Sequence, residues 1–189
     1  KLLVIDNYDS FVYNLVHIIH NLGIDDLTVL KNDKFQLHEI NQFDKIVLSP
    51  GPGIPKNAGL MPDVIKQFGP IKPIFGVCLG HQAIAESYGC KLKNLSEPLH
   101  GISSNINLLK EDYLFHNIPN NPKVAHYHSW VIDDHEMSKE IKILAKDVRG
   151  NIMAIAHSHF EVRGVQFHPE SVMTENGIQM ISNWIKNKA

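Results

Sequence analysis

Short β-branched runs alternate with amphipathic stretches through the first half of the chain. Residues 2–5, 27–31, 45–49 and 71–77 are apolar runs of strand length, and residues 10–22, 35–41, 60–68 and 79–88 carry helical spacing. Such alternation predicts crossover connections, hence an α/β fold with a mostly parallel central sheet and helices on both faces. After Cys90 the texture changes. Residues 101–109, 124–128, 141–146 and 152–157 read as strands joined by short turns, and Arg149-Gly150-Asn151 suits a hairpin, so an antiparallel extension of the sheet is expected. A last strand over 162–167 leads into a His-Pro-Glu loop, and residues 177–187 close the chain as a helix.

The chain has 189 residues, 43% of them hydrophobic, enough for one compact domain with a sizeable core. No repeat, linker or low-complexity segment divides it, so the domain is expected to run over 1–189. Lys+Arg 18 against Asp+Glu 20 gives a formal charge of -2 with no basic stripe, which argues against nucleic acid and membrane surfaces as partners. Only Cys78 and Cys90 are present, which suits free thiols in a reducing compartment. The opening run Lys1-Leu2-Leu3-Val4-Ile5 is too short for a signal peptide or a membrane span, and a cytoplasmic location is expected.

In an open sheet of this kind ligands sit beyond the carboxyl ends of the strands. Three loops fall there: Asp6-Asn7-Tyr8-Asp9-Ser10, Ser49-Pro50-Gly51-Pro52-Gly53 and Gly76-Val77-Cys78-Leu79-Gly80. The third carries the chemistry. A cysteine in apolar surroundings is most often a buried small hydrophobe, but Gly76 and Gly80 flank Cys78 at the Gly-x-Cys-x-Gly spacing of a strand–turn–helix nucleophile elbow. A helix starting near Leu79 would aim unpaired N–H groups at the sulfur and favour the thiolate.

Downstream, Val165-Gln166-Phe167-His168-Pro169-Glu170 sets a histidine and a carboxylate two positions apart. On an extended segment those positions share a side, so the carboxylate can orient the ring toward a thiol. Gly51 and Gly53 would let backbone N–H groups approach a ligand as an oxyanion site requires, with the Leu79 N–H as second donor. His126/His128 and His157/His159 are His-x-His pairs on strands, but neither has a clear third ligand, and no metal is expected; half-exposed histidines on strands are commonplace. Asp9 or Ser10 reads as an ordinary helix N-cap, and Cys90 as structural.

Across nearly its whole length the chain resembles the class I, triad-type glutamine amidotransferases, on Gly76-Val77-Cys78-Leu79-Gly80-His81-Gln82 and His168-Pro169-Glu170-Ser171. Within that family Ile5-Asp6-Asn7-Tyr8-Asp9-Ser10-Phe11, Ser49-Pro50-Gly51-Pro52-Gly53, His100-Gly101 and Tyr127-His128-Ser129 are similar to the small subunit of anthranilate synthase; the glutaminase subunit of aminodeoxychorismate synthase shares them. The resemblance implies a flavodoxin-like fold, with Cys78 as nucleophile, His168 as general acid/base and Glu170 as its partner. It also implies L-glutamine contacts at Gly51, Pro52, Gly53 and Gln82 and at the main chain of Ser129 and Trp130. His126 stands where these subunits often carry arginine, and Trp130 where leucine is frequent.

By the same resemblance, glutamine is hydrolysed through a thioester without any cofactor in this chain. The ammonia passes to a chorismate-binding synthase subunit that makes anthranilate and uses magnesium in its own site. The alternatives are the aminodeoxychorismate synthase partner or one subunit shared by both pathways, a stand-alone hydrolase of the same fold, and a degenerate, non-catalytic binding subunit.

Overall fold

The computed structural model describes residues 1–187; the last two positions of the expected 1–189 domain, 188 and 189, lie outside the described residues. Among the described residues, a nine-stranded sheet runs in the order β2-β1-β3-β4-β9-β8-β7-β5-β6. Its parallel half consists of β1 (Leu2–Asp6), β2 (Leu27–Lys31), β3 (Lys45–Leu48), β4 (Ile74–Val77) and β9 (Val162–Val165). The antiparallel half adds β8 (Ile152–His157), β7 (Ile141–Asp147), β5 (Leu92–Leu108) and β6 (Lys123–Ile132).

Strands buried on both faces read as unbroken apolar runs, as residues 2–5 of β1 do, with Asp6 at its end buried as well. Its alternate residues serve two cores. Leu2 and Val4 face one core, shared with Val12, Leu15 and Ile19 of α1 (Val12–Asn21) and Met180, Ile181 and Trp184 of α4 (Gly177–Lys186). Leu3 and Ile5 face the other, filled by Met61, Val64, Ile65 and Phe68 of α2 (Met61–Phe68) and Ala83 and Ile84 of α3 (Leu79–Ser87). Lys45 on β3 ties the last turn of α4 to the sheet, its Nζ donating to the carbonyls of Trp184, Ile185 and Asn187 at 3.2, 2.8 and 2.7 Å. A cation there also suits the negative end of the helix.

Several elements depart from the sequence expectation. Residues 35–41 do not form an α-helix but lead into a 3₁₀ segment, Leu37–Gln42. β5 begins at Leu92 rather than at 101, and its register slips between Asn94 and Leu99 and between His100 and Ile102. Pro98 and Gly101, the latter at φ +66°, interrupt the alternation that marks a strand, and they sit where the strand is bulged. Neither Asp9 nor Ser10 is the α1 N-cap; that position is Phe11, and the Asp9 carboxylate instead accepts from the Phe11 N–H at 2.8 Å. The 149–151 turn does close the β7–β8 hairpin, with Gly150 at φ +85° and Asp147 Oδ1 accepting from the N–H groups of Arg149 and Asn151.

Candidate active site

β4 and β9 run parallel with Val77 opposite Val165, so both chains leave the sheet side by side at their carboxyl ends. The β4 chain turns at once into α3 through Cys78, whose φ of 51° and ψ of -99° place a non-glycine residue in strained backbone. Its N–H donates to Val165 O at 2.8 Å, which ties the turn to β9. Close packing explains both flanking glycines. A Cβ on Gly80 would lie 2.6 Å from Leu48 O, and one on Gly76 would lie 2.5 Å from the Gly80 carbonyl carbon. The first turn of α3 thus rests on the backbones of β3 and β4. Cys78 is the N-cap residue of α3, at the positive end of its dipole.

The β9 chain continues through Gln166 and Phe167 to His168, which is anchored to β6 by its N–H on Ala125 O (3.1 Å) and by the Thr174 hydroxyl on its own carbonyl (2.6 Å). His168 Nδ1 lies 2.6 Å from Glu170 Oε1, and both side chains are buried. Phe11 and Tyr127 pack edge-on against the ring at centroid distances of 5.5 and 5.1 Å. Burial alone would push the imidazole down, but the Cys78 sulfur and the Glu170 carboxylate outweigh it and raise His168 to about 10. That direction favours the protonated ring at neutral pH. Its Nε2 has no aligned hydrogen-bond partner, so the sulfur acts on the ring at close range without a tightened bond. Catalytic contacts are often this loose before substrate binds.

Gly51, Pro52, Gly53, Cys78, Gln82, Ser129 and Trp130 line a single cavity of about 130 Å³, together with His100, Tyr127 and His128. That volume suits a ligand far smaller than those filling the ~300–1,000 Å³ of drug-sized pockets. A larger cavity of about 690 Å³ between residues 108 and 120 contains none of these groups, so size alone does not locate the chemistry. Leu79 is not part of the cavity wall: its side chain is buried against Gly51, and its N–H at the head of α3 is the group it can offer. Gly53 adopts φ +77°, a conformation that favours glycine.

Two groups of residues escaped the sequence reading. Asn7 clamps the glycine loop, its N–H donating to Ser49 Oγ (2.9 Å) and its Nδ2 to Ser49 O (2.8 Å), while Asn32 Nδ2 donates to Asn7 Oδ1 (3.0 Å). A Cβ on Gly51 would fall 2.6 Å from Asn7 Cβ, so that loop and Asn7 need each other. Gln166 is the second, with Nε2 3.6 Å from Cys78 Sγ. The period-two argument that pairs His168 with Glu170 reaches Gln166 when extended one step back.

His126, His128 and His157 are buried, whereas His159, past the end of β8, is exposed. His126 and His128 are buried and bonded to each other, Nδ1 to Nε2 at 3.2 Å, with Ser104 Oγ 2.8 Å from His126 Nε2. Burial holds His128, like the neighbouring His81, down to about 3, so both stay neutral. His157 is buried too, and its Nδ1 accepts from the N–H groups of His159 and Phe160 beyond the end of β8. His128 Nδ1 and His157 Nε2 have no hydrogen-bond partner, and among the described residues neither pair gathers a third metal-ligating side chain. The arrangement at Cys78 is different in kind: a thiol, an imidazolium beside it and backbone donors above a small cavity can attack a carbonyl carbon, hold the resulting oxyanion and protonate a leaving group.

Comparison with known proteins agrees with this geometry. The family model described as "Glutamine amidotransferase class-I" matches residues 3–188. Anthranilate synthase component 2 of Lactococcus lactis is 41% identical over 186 residues, covering 97% of this chain and 93% of its own. Aminodeoxychorismate/anthranilate synthase component 2 of Bacillus subtilis is 40% identical over 187 residues, covering 98% and 95%. The bifunctional protein TrpGD of Thermotoga maritima is 40% identical over 188 residues; that match takes in 98% of this chain but only 32% of the longer protein. Among solved structures, a glutamine amidotransferase from Thermotoga maritima aligns with a TM-score of 0.74 at 15% identity, over 98% of this chain and 80% of that one, a likeness of fold.

Proposed function

The chain belongs to the class I glutamine amidotransferases, and on that premise we propose that it is the glutaminase subunit of an anthranilate synthase, hydrolysing L-glutamine and handing the ammonia to a chorismate-binding synthase subunit. The observation that carries the reading is the meeting of Cys78, His168 and Glu170 beside a cavity of amino-acid scale. The Cys78 thiolate adds to the side-chain carboxamide carbon, forming the C–S bond. N–H groups of Leu79 and the Gly51–Gly53 loop hold the oxyanion. The C–N bond then breaks as the His168 imidazolium gives its proton to the departing nitrogen, and ammonia leaves a γ-glutamyl thioester. Water next attacks the thioester carbon while His168 takes its proton. The C–S bond breaks, and glutamate departs with the ion pair restored.

Gln82 and the main chain at Ser129 and Trp130 hold the amino-acid end of the substrate in this reading. These steps call on no cofactor in the chain, and magnesium belongs to the partner's chorismate site. Free ammonia in water becomes ammonium, which is not nucleophilic, so transfer needs a covered path between the subunits. A cytoplasmic location is supported by two free cysteines. Among the described residues no helix is long and apolar enough to cross a membrane.

The test is covalent labelling with an electrophilic glutamine analogue, with and without a synthase subunit. Cys78 should be labelled and glutamine-dependent product formation lost, whereas Cys78→Ser should take no label. Absence of labelling in the presence of a synthase subunit would leave the non-catalytic alternative standing. A second reading is favoured by the double name of the Bacillus subtilis relative: one subunit serving the folate pathway as well. Assaying anthranilate against aminodeoxychorismate after mixing with each synthase subunit separates the two.

A further inference from the structure

Gln166 is fully buried and follows Val165 as Cys78 follows Val77, so the register of β4 and β9 delivers the two side chains together. Three contacts link them into a chain. Gln82 Nε2 is 2.9 Å from Trp130 O and 3.1 Å from Gln166 Oε1, and Gln166 Nε2 is 3.6 Å from Cys78 Sγ. The direction of this chain is set at one end. A backbone carbonyl can only accept, so the end of Gln82 that faces Trp130 is its NH₂. The second hydrogen of that NH₂ reaches Gln166, which must therefore present its oxygen to Gln82 and its own NH₂ to the sulfur. The Gln82 amide oxygen is left unused by these contacts on a side chain that lines the small cavity.

We propose that Gln166 is a catalytic residue with two separable duties. Its amide N–H stabilises negative charge on the Cys78 sulfur, and its amide oxygen locks Gln82 so that an acceptor, not a donor, is offered to the N–H-bearing groups of the substrate. The second duty rests on the glutaminase reading for the identity of that substrate; the first does not. Substrate selection then follows from polarity. A ligand bringing an ammonium or amide N–H to Gln82 meets an acceptor, while one bringing only oxygens there meets a repulsive lone pair.

Two substitutions separate the duties. Gln166→Met keeps the length and removes both; Gln166→Glu keeps an oxygen for Gln82 and removes the amide donor. The first readout is the rate of Cys78 alkylation by iodoacetamide against pH, which needs neither glutamine nor a partner. His168, the titratable group beside the sulfur, is intact in both variants, and Gln166→Met, which adds no charge, is the one whose profile decides. Gln166→Met should move the alkylation profile upward by about one pH unit, as loss of one hydrogen bond to a charged group implies. In complex with a synthase subunit it should also lower kcat and raise KM for glutamine by about tenfold each. Gln166→Glu should bring KM back to within about threefold of the parent while kcat stays low.

A profile for Gln166→Met superimposable on the parent's overturns the first duty, and an equal rise of KM in both variants overturns the second. Should Gln166→Met fold poorly by thermal melting, Gln166→Leu removes the same amide with a branched side chain. The alkylation profile should again move up; an unmoved profile counts against the proposal. A parent chain that hydrolyses no glutamine with its synthase present would sink the functional reading, while alkylation would still decide the sulfur contact.

Discussion

His168 Nδ1 and Glu170 Oε1 meet at 2.6 Å, two positions apart in the chain and both shielded from water. With the sulfur they raise the ring to about 10 in the folded protein, against an unfolded value of about 6.5. A raised basic group stabilises the fold fully below its unfolded pKa and stops doing so as pH rises through the folded one. The native state should therefore lose stability between about pH 6.5 and 10. Urea midpoints across that range should fall less steeply in Glu170→Gln than in the parent; parallel curves would show that the pair contributes nothing.

Catalytic losses should be ordered. His168→Ala removes both the acid and the base and should lower kcat by roughly 10³-fold or more, whereas Glu170→Ala removes only orientation and charge support and should lose at least about tenfold less. Steady-state glutaminase assays with the synthase subunit check the ranking, and a larger loss at Glu170 would contradict the assigned roles.

Two glycines of the site should fail for different reasons. Gly80→Ala would bring a Cβ to 2.6 Å from Leu48 O and 2.7 Å from Leu48 Cβ, a backbone clash that should lower stability by about 1–3 kcal/mol and displace the Cys78 turn. Gly53→Ala meets no atom within 4 Å, but its φ of +77° should cost about 1–2 kcal/mol of strain. Chemical denaturation gives both numbers; alkylation of Cys78 should be altered in the first variant and not in the second.

Arg163 on β9 and Asp112 form an ion pair at 3.0 Å with both side chains about 10% exposed. Asp112 also accepts from the Leu114 N–H at 3.0 Å. Asp112→Ala leaves a nearly buried guanidinium with only the longer 3.9 Å pairing to Glu161 and its two carbonyl contacts, and should destabilise by about 3 kcal/mol. Adding Arg163→Met should recover part of that loss in a double-mutant cycle, because the stranded charge is then gone.

The elbow at Cys78 was legible because its causes lie within five residues: glycines where neighbouring backbone comes close, and an apolar strand leading into a helix. The His168–Glu170 pair was legible because period two is a local rule. The first part of β5 was not, since Pro98 and Gly101 disguise it as loop, and only pairing with β6 holds that bulged segment extended. The burial of His126 and His128 is not legible in the sequence either, because exposure of a strand residue depends on what the rest of the chain lays over it.

The amino-acid order by itself determined the α/β class and the parallel half of the sheet, singled out Cys78 and the His168–Glu170 pair as candidates, and carried the motifs that resemble the family. Alternation, turn sterics and motif spacing are short-range properties of a chain. Tertiary structure alone decided that Gln166 stands against Cys78 across 88 residues of sequence, and that Asn7 clamps the loop of Gly51 across the carboxyl ends of β1 and β3. Both depend on which strands become neighbours and in what register. That choice is made by the crossovers and by the packing of two cores at once, information spread over the whole chain.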